Sequence, residues 1–406
     1  MNSRLSLLQP YPFERLRQLF AEVTPNAALP HISLGMGEPK HPTPAFIQQA
    51  MIDSVFSTPS GLASYPATTG EPALRAAFAR WLNLRYQLSV NPVTQTLPVN
   101  GSREALFALT QTVIDAGSPG RAKDLKPVVV CPNPFYQIYE GAALLAGAEP
   151  YFVPTDAARN FAQDWDCVPH EVWERTQLLV VCSPANPTGA VMPLSEWEKL
   201  FALSDRYGFV IASDECYSEI YFREQAPLGG LEAAARLGRL DFRNLVSLTS
   251  LSKRSNVPGM RSGFCAGDAS IIRQFLLYRT YHGCAMSPVV QAASIAAWGD
   301  EQHVVDNRAM YRSKFAQVTP MLAKVLDVSL PDAGFYLWAK VQGSDVDFAR
   351  RLYALYNVTV LPGSYLSRAS LGFNPGDHRI RMALVAETTE CVQAAQRIVE
   401  FVKSGF

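Results

Sequence analysis

From about residue 97 onward, short apolar runs alternate with stretches of helical period, and this alternation restricts the fold more than any other feature. Runs at 128–131, 150–153, 178–182, 209–213, 245–249 and 263–267 are almost continuously apolar. Parallel strands covered on both faces require that pattern, whereas half-exposed strands alternate. The intervening segments 103–115, 138–146, 194–207 and 269–281 read as helices. Strand–helix alternation at this spacing predicts an α/β layer with a mostly parallel sheet. Residues 287–326 read as helical, a long connecting helix. A strand at 335–341, a helix at 345–356, short strands at 358–361 and 379–385 and a final helix at 387–403 follow, and predict a smaller α+β domain. The Pro-rich first 40 residues are expected to pack on that smaller unit. The division predicted is an N-terminal segment 1–45, a large domain 46–290, and a connecting helix with small C-terminal domain 291–406.

A chain of 406 residues fits this scheme of two to three compact units. Lys+Arg and Asp+Glu both number 36, so the net charge is zero. That balance removes the bulk electrostatic argument for binding nucleic acid or an anionic membrane. Charged residues make up 18%, below the ~25% usual for soluble domains, which hints at a subunit interface. The first 20 residues carry no apolar signal core. Two charge-free windows, 176–195 and 280–299, are interrupted by prolines and polar residues and read as buried soluble segments. The seven cysteines (131, 167, 182, 216, 265, 284, 391) are scattered, with no metal-ligand spacing. They read as buried, reduced thiols of a cytoplasmic protein, and no metal is expected.

Several chemistries lack their sequence signatures. Gly35-Met36-Gly37 has neither the third glycine nor the preceding strand of a dinucleotide loop, and no phosphate loop or nucleophile elbow is present. The segment Ser250-Leu-Ser-Lys-Arg-Ser-Asn-Val-Pro-Gly-Met-Arg261 stands out instead. Lys253 follows an apolar strand, with hydroxyls at −3 and −1 and Arg261 at +8. A desolvated lysine is a candidate Schiff-base nucleophile, and hydroxyls with an arginine fork suit a phosphate. A Lys–Arg pair in a polar loop is by itself more often simply solvated. Asn186-Pro-Thr-Gly, and Asp214 with Tyr217, follow the strands at 178–182 and 209–213. Ligands of open α/β sheets bind at such strand ends, although a lone Asp there is commonly a helix cap.

Together these pieces, in this order, resemble the class I/II aminotransferases, pyridoxal-phosphate enzymes of fold type I. The resemblance spans essentially the whole chain. It implies a large domain with a mostly parallel mixed sheet flanked by helices, plus a smaller α+β domain, and pyridoxal 5′-phosphate as cofactor. By resemblance Lys253 is the lysine that holds the cofactor covalently and then moves a proton. Asp214 faces the pyridine nitrogen, Asn186 and Tyr217 meet the ring's phenolic oxygen, and Tyr136 stacks on the ring. Gly101, Ser102 and Arg103 match the turn whose amides receive the phosphate at a helix start, and Ser250, Ser252 and Arg261 match its other ligands. Arg381 matches the arginine that grips the substrate α-carboxylate, with Arg379 as the competing choice two residues earlier. Gly37 matches a backbone position that also meets this carboxylate. Tyr65, in Tyr65-Pro-Ala-Thr-Thr-Gly70, resembles a tyrosine that reaches across a homodimer interface to the neighbouring cofactor phosphate.

Further stretches, such as Ser33-Leu-Gly-Met-Gly-Glu-Pro-Lys-His-Pro-Thr-Pro44 and Val360-Leu-Pro-Gly-Ser-Tyr-Leu-Ser-Arg368, are similar to the N-succinyldiaminopimelate aminotransferases of bacterial lysine biosynthesis. That likeness implies ping-pong amino transfer between N-succinyl-LL-2,6-diaminopimelate and 2-oxoglutarate. A substrate with a distal carboxylate calls for an extra cation, for which Arg103, Arg279 and Arg368 are the candidates. The alternatives are another aminotransferase of the class (aspartate, aromatic or LL-diaminopimelate type), a lyase on the same scaffold, or a non-catalytic sensor domain. The last finds no DNA-binding helices before residue 40 and no basic charge to support it.

Overall fold

The computed structural model describes residues 1–117 and 125–405. In chain order the strands are β1 (Ile32–Ser33), β2 (Thr96–Val99), β3 (Val128–Asn133), β4 (Glu149–Asp156), β5 (Ala162–Gln163), β6 (Thr176–Cys182), β7 (Val210–Asp214), β8 (Leu245–Ser250), β9 (Gly263–Gly267), β10 (Tyr336–Lys340), β11 (Val358–Thr359), β12 (Leu361–Pro362) and β13 (Arg379–Ala383). Eight of them form the large sheet in the order β2-β9-β8-β7-β6-β3-β4-β5. Strands β4, β3, β6, β7 and β8 run parallel. Strand β9 opposes β8, β2 opposes β9, and β5 opposes β4.

The apolar runs are continuous because both faces of this sheet are covered. Val128 and Val130 of β3, with Leu179 and Val181 of β6, enter one core. Their neighbours Val129, Cys131, Leu178 and Val180 enter the core on the opposite face. This is the two-residue period of a strand read from both sides. From β3 the chain proceeds to β4 on one side and later to β6, β7 and β8 on the other. The order therefore reverses between β3 and β6. In open α/β sheets a ligand crevice forms at such a switch point, beyond the carboxyl ends of the strands.

The smaller α+β domain holds the three-stranded antiparallel sheet β10-β13-β12 and the short parallel pair β1-β11. The single strand expected at 358–361 is thus two short ones, shared between different sheets. The expected connecting helix is also divided. Helix Pro288–Gly299 ends where Asp300 takes an extended backbone (φ −121°, ψ 130°), and helix Gln302–Leu322 follows. The Asp300 carboxylate accepts from the His303 N–H at 3.0 Å. Ala293, Ala297 and Trp298 sit in a large-domain core, so a division after residue 290 cuts through a helix that belongs to the large unit. The N-terminal segment touches both domains. Leu16 of helix Pro12–Phe20 packs with Trp338, Leu361, Tyr365 and Leu366, while Arg4 Nη1 donates to the Leu145 carbonyl of the large domain at 3.1 Å. Among the described residues no helix is long and apolar enough to cross a membrane.

Candidate active site

Every strand near the switch point delivers a polar residue to one end of the large sheet. Beyond β3 comes Tyr136, beyond β6 Asn186, at the end of β7 Asp214 and Tyr217, and beyond β8 Ser252 and Lys253. Strand β9 starts at that same end just after Arg261, and β2 finishes there just before Gly101. The smaller domain adds Tyr336 and Arg381, and the N-terminal segment adds Tyr11, Gly37 and Glu38. Together these residues line one cavity of about 560 Å³ between the two domains.

Lys253 lies on the four-residue helix Leu251–Arg254, whose N-terminus is capped by the Ser250 hydroxyl accepting from the Ser252 N–H. Its Nζ donates to the Gly37 carbonyl at 2.8 Å. Burial is the main cause that brings its ammonium down to about 8 from an ordinary 10.5. Asp214, 5% exposed, stands opposite Cys182 across the β6–β7 pair. It accepts from the Tyr139 hydroxyl at 2.8 Å and from the Cys216 N–H at 3.4 Å. Burial pushes its carboxyl up, opposed by those hydrogen bonds from Cys216 and Tyr139. The buried Tyr217 hydroxyl lies 3.0 Å from the Tyr336 hydroxyl, and burial keeps it well above the ordinary phenol range.

The turn before helix Ser102–Val113 is an open anion cradle. Gly101 has φ +90°, a region that favours glycine, and no side chain caps the helix, so its first amides are free. A Cβ at Gly101 would run into the Arg261 guanidinium, so the missing side chain is what lets that cation approach the turn. The Ser250 hydroxyl donates to the Ser262 carbonyl (3.1 Å) and lies 2.9 Å from the Ser252 hydroxyl. Arg103 turns its side chain away from this turn. It donates to the Tyr136 hydroxyl at 2.6 Å and to the Tyr11 hydroxyl at 2.8 Å. On the opposite domain Arg381 donates to Asn186 Oδ1 (3.1 Å) and the Gly35 carbonyl (2.9 Å). Its guanidinium lies 4.4 Å from the centre of the Tyr336 ring, and its buried Nε has no partner. Gly37 is equally constrained, because a Cβ there would strike the Tyr336 hydroxyl.

Not every sequence candidate joins this cavity. Arg379, two residues from Arg381 on β13, instead lies against the Phe161 ring (5.2 Å). Arg279 is fully buried outside the cavity, where it is ion-paired with Glu104 and bonded to Asn100. Arg368 is held bidentately by Glu140 at 2.8 and 2.6 Å. Both are thereby removed as cations for a distal carboxylate, and Arg103 is left. Tyr65 is fully exposed and does not line the cavity of its own chain. Tyr11, Tyr139, Tyr336, Cys216 and Glu38 line it without having been singled out from the sequence. The cysteines are all free thiols, and Cys182 and Cys216 face the cavity. Ligand atoms of Glu104, His282 and Cys284 lie within 4.8 Å of one another, but Glu104 is engaged by Arg279 and the Cys284 thiol donates to Asn100.

The charge balance of the cavity is lopsided. Among the described residues no carboxylate forms an ion pair with Lys253, Arg261, Arg381 or Arg103. Cations facing a cavity without protein counter-ions call for anionic guests, and the free amides beside Arg261 suit a phosphate. A buried carboxylate without an ion pair, Asp214, calls for a cationic one. The donor set therefore fits a phosphorylated pyridine aldehyde together with an amino acid.

Comparison with known proteins agrees. The family described as "Aminotransferase class I and II" matches residues 30–398. An LL-diaminopimelate aminotransferase of Nitratidesulfovibrio vulgaris (strain DP4) is 32% identical over 402 residues, covering 98% of both chains. A solved aminotransferase from Neisseria meningitidis Z2491 superposes with a TM-score of 0.93 at 52% identity, covering 99% of this chain and 100% of that one. A probable N-succinyldiaminopimelate aminotransferase from Thermus thermophilus shares the fold, with a TM-score of 0.82 at 24% identity over 98% of this chain and 100% of that one. The chain belongs to the class I and II aminotransferases, enzymes of fold type I that use pyridoxal 5′-phosphate.

Proposed function

We propose that this aminotransferase takes the amino group from a diaminopimelate and passes it to 2-oxoglutarate, with free LL-2,6-diaminopimelate as the donor. One cavity observation carries the reading: besides Arg381, and Arg261 at the anion cradle, a third guanidinium without a carboxylate partner, Arg103, faces it from another wall. A substrate with an anionic group at each end uses both. The likeness to LL-diaminopimelate aminotransferases over nearly the whole chain favours the free amino acid over the succinylated one. Glu38, on the same cavity, supplies a negative charge for a distal ammonium. The succinylated donor stays as the second reading, supported by the stretches at 33–44 and 360–368.

In this reading Lys253 carries the cofactor. Gly101, Ser102, the Arg103 amide, Ser250, Ser252 and Arg261 would hold the phosphate, and Tyr136 would pack on the ring. Asp214, braced by Tyr139, would supply negative charge to the ring nitrogen. Asn186 and Tyr217 would donate to the phenolic oxygen. Bound pyridoxal phosphate supplies an electron sink for the carbanion left at the substrate Cα. Lys253 Nζ, with its proton affinity lowered by burial, would take that proton from the substrate Cα and deliver it to C4′ of the cofactor. Arg381 and the Gly37 backbone fix the α-carboxylate. Tyr65 completes the phosphate site of a second copy, so the working unit is a homodimer. The exposed Phe56 and Leu62, a few residues before it in the chain, are apolar surface that such an interface would cover.

The test is a donor panel at fixed 2-oxoglutarate, with glutamate formation followed for LL-diaminopimelate, its N-succinyl derivative and short amino acids. Preference for the succinylated donor reverses the choice between the two. Borohydride fixation followed by peptide mapping checks Lys253. Label on another lysine removes that assignment.

A further inference from the structure

Behind Lys253, away from the cavity, lies a buried polar chain that the proposed chemistry does not use. A four-residue helix is too short to be stable alone, and its last carbonyls need donors. Asn307, on helix Gln302–Leu322, supplies them. Its Nδ2 donates to the carbonyls of Lys253 (3.3 Å) and Arg254 (3.4 Å). Its Oδ1 accepts from Asn256 Nδ2 at 3.0 Å and from His41 Nδ1 at 2.9 Å. The reversed amide would set oxygen against two carbonyls and NH2 against another NH2, so its orientation is determined.

The polarity then propagates. An amide oxygen only accepts, so His41 carries its proton on Nδ1 and presents a lone pair on Nε2. Lys314 Nζ lies 3.0 Å from that Nε2 and donates to it. His41 is 7%, Asn307 2% and Lys314 0% exposed. Tyr311 packs its ring against His41 (4.4 Å) and Lys314 (5.0 Å). The other titratable groups facing the pair are Lys40, Glu387, Glu390 and Cys391. Among the described residues none of these carboxylates forms an ion pair with Lys314. A buried ammonium without a carboxylate is a costly way to fill space that methionine would fill. Its distinct contribution is to donate to His41 Nε2, so that the tautomer set by Asn307 Oδ1 is satisfied at both ring nitrogens. His41 also belongs to the loop whose Gly37 carbonyl receives Lys253 Nζ. Loop and helix are thus tied twice, once through the lysine side chain and once through its backbone.

We propose that Lys314, His41 and Asn307 are positioning residues: a one-way chain of hydrogen bonds from Lys314 to the Lys253 and Arg254 carbonyls that aims the Lys253 amino group into the cavity. This rests on Lys253 being the cofactor lysine. His41→Leu breaks the chain without changing charge, whereas His41→Gln keeps one donor and one acceptor. The expected result for His41→Leu is a fall in kcat of about tenfold with KM held within about threefold, and recovery of most of that loss in His41→Gln. In the cofactor-free protein, competitive acetylation of Lys253 read by mass spectrometry should move its midpoint in His41→Leu from about 8 toward 10.5. A folded His41→Leu that melts earlier but keeps wild-type kcat and acetylation midpoint overturns the proposal. If His41→Leu does not fold, Lys314→Met carries the same test, since it removes the buried charge: lower kcat with a displaced midpoint supports the chain, and no change in either overturns it. Borohydride mapping of the wild type separates the two readings. Label away from Lys253 defeats the assignment of the lysine, while label on Lys253 with unmoved variants defeats the positioning chain alone.

Discussion

On the cavity side of helix Leu251–Arg254 the cations have neutral partners, and on the sealed side nearly all have carboxylates. Lys253 meets a carbonyl, Arg381 an amide oxygen and a carbonyl, and Arg103 two tyrosine hydroxyls. Behind them Arg254 pairs with Glu301, Arg279 with Glu104, and Arg85 and Arg308 share the buried Glu219. The contrast separates charge that holds the fold from charge reserved for a ligand. A paired cation has spent its attraction within the chain, whereas an unpaired one in a cavity keeps it for a guest. Lys314 crosses this division, sealed yet without a carboxylate, and its hydrogen bond to His41 Nε2 is what marks it as a positioning group.

The largest expected effect lies with the cavity-side lysine. Lys253→Ala should fold and bind cofactor yet lose turnover by more than the ~10²–10⁴-fold of general acid–base help alone, because the covalent carrier goes as well. Steady-state assay together with the visible spectrum reads both. Residual activity within tenfold of wild type would mean that the division of charges does not mark the catalytic lysine. Arg381 comes next. Arg381→Leu should cost about 1.5–3 kcal/mol in kcat/KM for amino acid and oxo acid alike, the worth of a charged hydrogen bond. Arg279→Leu should cost stability and not substrate affinity. If the two behave alike in kinetics, the contrast fails.

Smaller still is a stability effect with a defined sign. Lys253 has a depressed folded value, about 8 against 10.5. Its unfavourable burial is therefore absent above pH 10.5, grows as pH falls toward 8, and is constant below. Removing the amine should stabilise the cofactor-free protein near pH 7. Lys253→Met should gain about 2 kcal/mol there, after allowance for the lost Gly37 hydrogen bond, and the gain should shrink as pH rises above 8 and change sign before pH 10.5, where only the lost hydrogen bond remains. Denaturant melts of wild type and variant across pH 7–10 check it. A pH-independent difference would mean that the ammonium is not destabilised by burial.

How much of this was legible in the sequence differs between the two regions for a physical reason. The sheet could be read because burial on both faces forces apolar runs, and the cavity side because Lys253, Asp214 and Asn186 each follow such a run. Strand β2 is not legible because Thr-Leu-Pro-Val is short and holds a proline, which an antiparallel edge next to β9 tolerates. The helix break at Asp300 lay in a charged, glycine-ended turn within an otherwise helical stretch. Tyr139 and Tyr336 carry no signal of their own, because a tyrosine on a helix or strand does not announce which carboxylate or hydroxyl it will meet. Arg279 and Arg368 look free in the sequence because an arginine's partner, Glu104 or Glu140, comes from a distant segment. His41 lies 266 residues from Asn307 and 273 from Lys314, so only tertiary packing brings that chain together.

The smallest expected effect belongs to Arg103, and it tests the proposed donor. Its side chain is exposed at the cavity mouth, so its attraction for a distal carboxylate is screened by water. An exposed ionic contact is worth about 0.2–1 kcal/mol, roughly a twofold to fivefold change. Arg103→Gln should lower kcat/KM by that factor for diaminopimelate donors and leave a short amino acid without a distal charge unaffected. Raising ionic strength should shrink the difference, because the Debye length falls from ~10 Å at 0.1 M salt to ~3 Å at 1 M and an exposed pair is increasingly screened. The same variant serves for both donors, since the free and the succinylated diaminopimelates each end in a carboxylate. Glu38→Gln then distinguishes them. It should weaken the free donor, whose distal ammonium it faces in this reading, and leave the succinylated amide alone. An equal loss for long and short donors in Arg103→Gln would show that the guanidinium serves only to fix Tyr11 and Tyr136, and the distal charge would have to be met elsewhere.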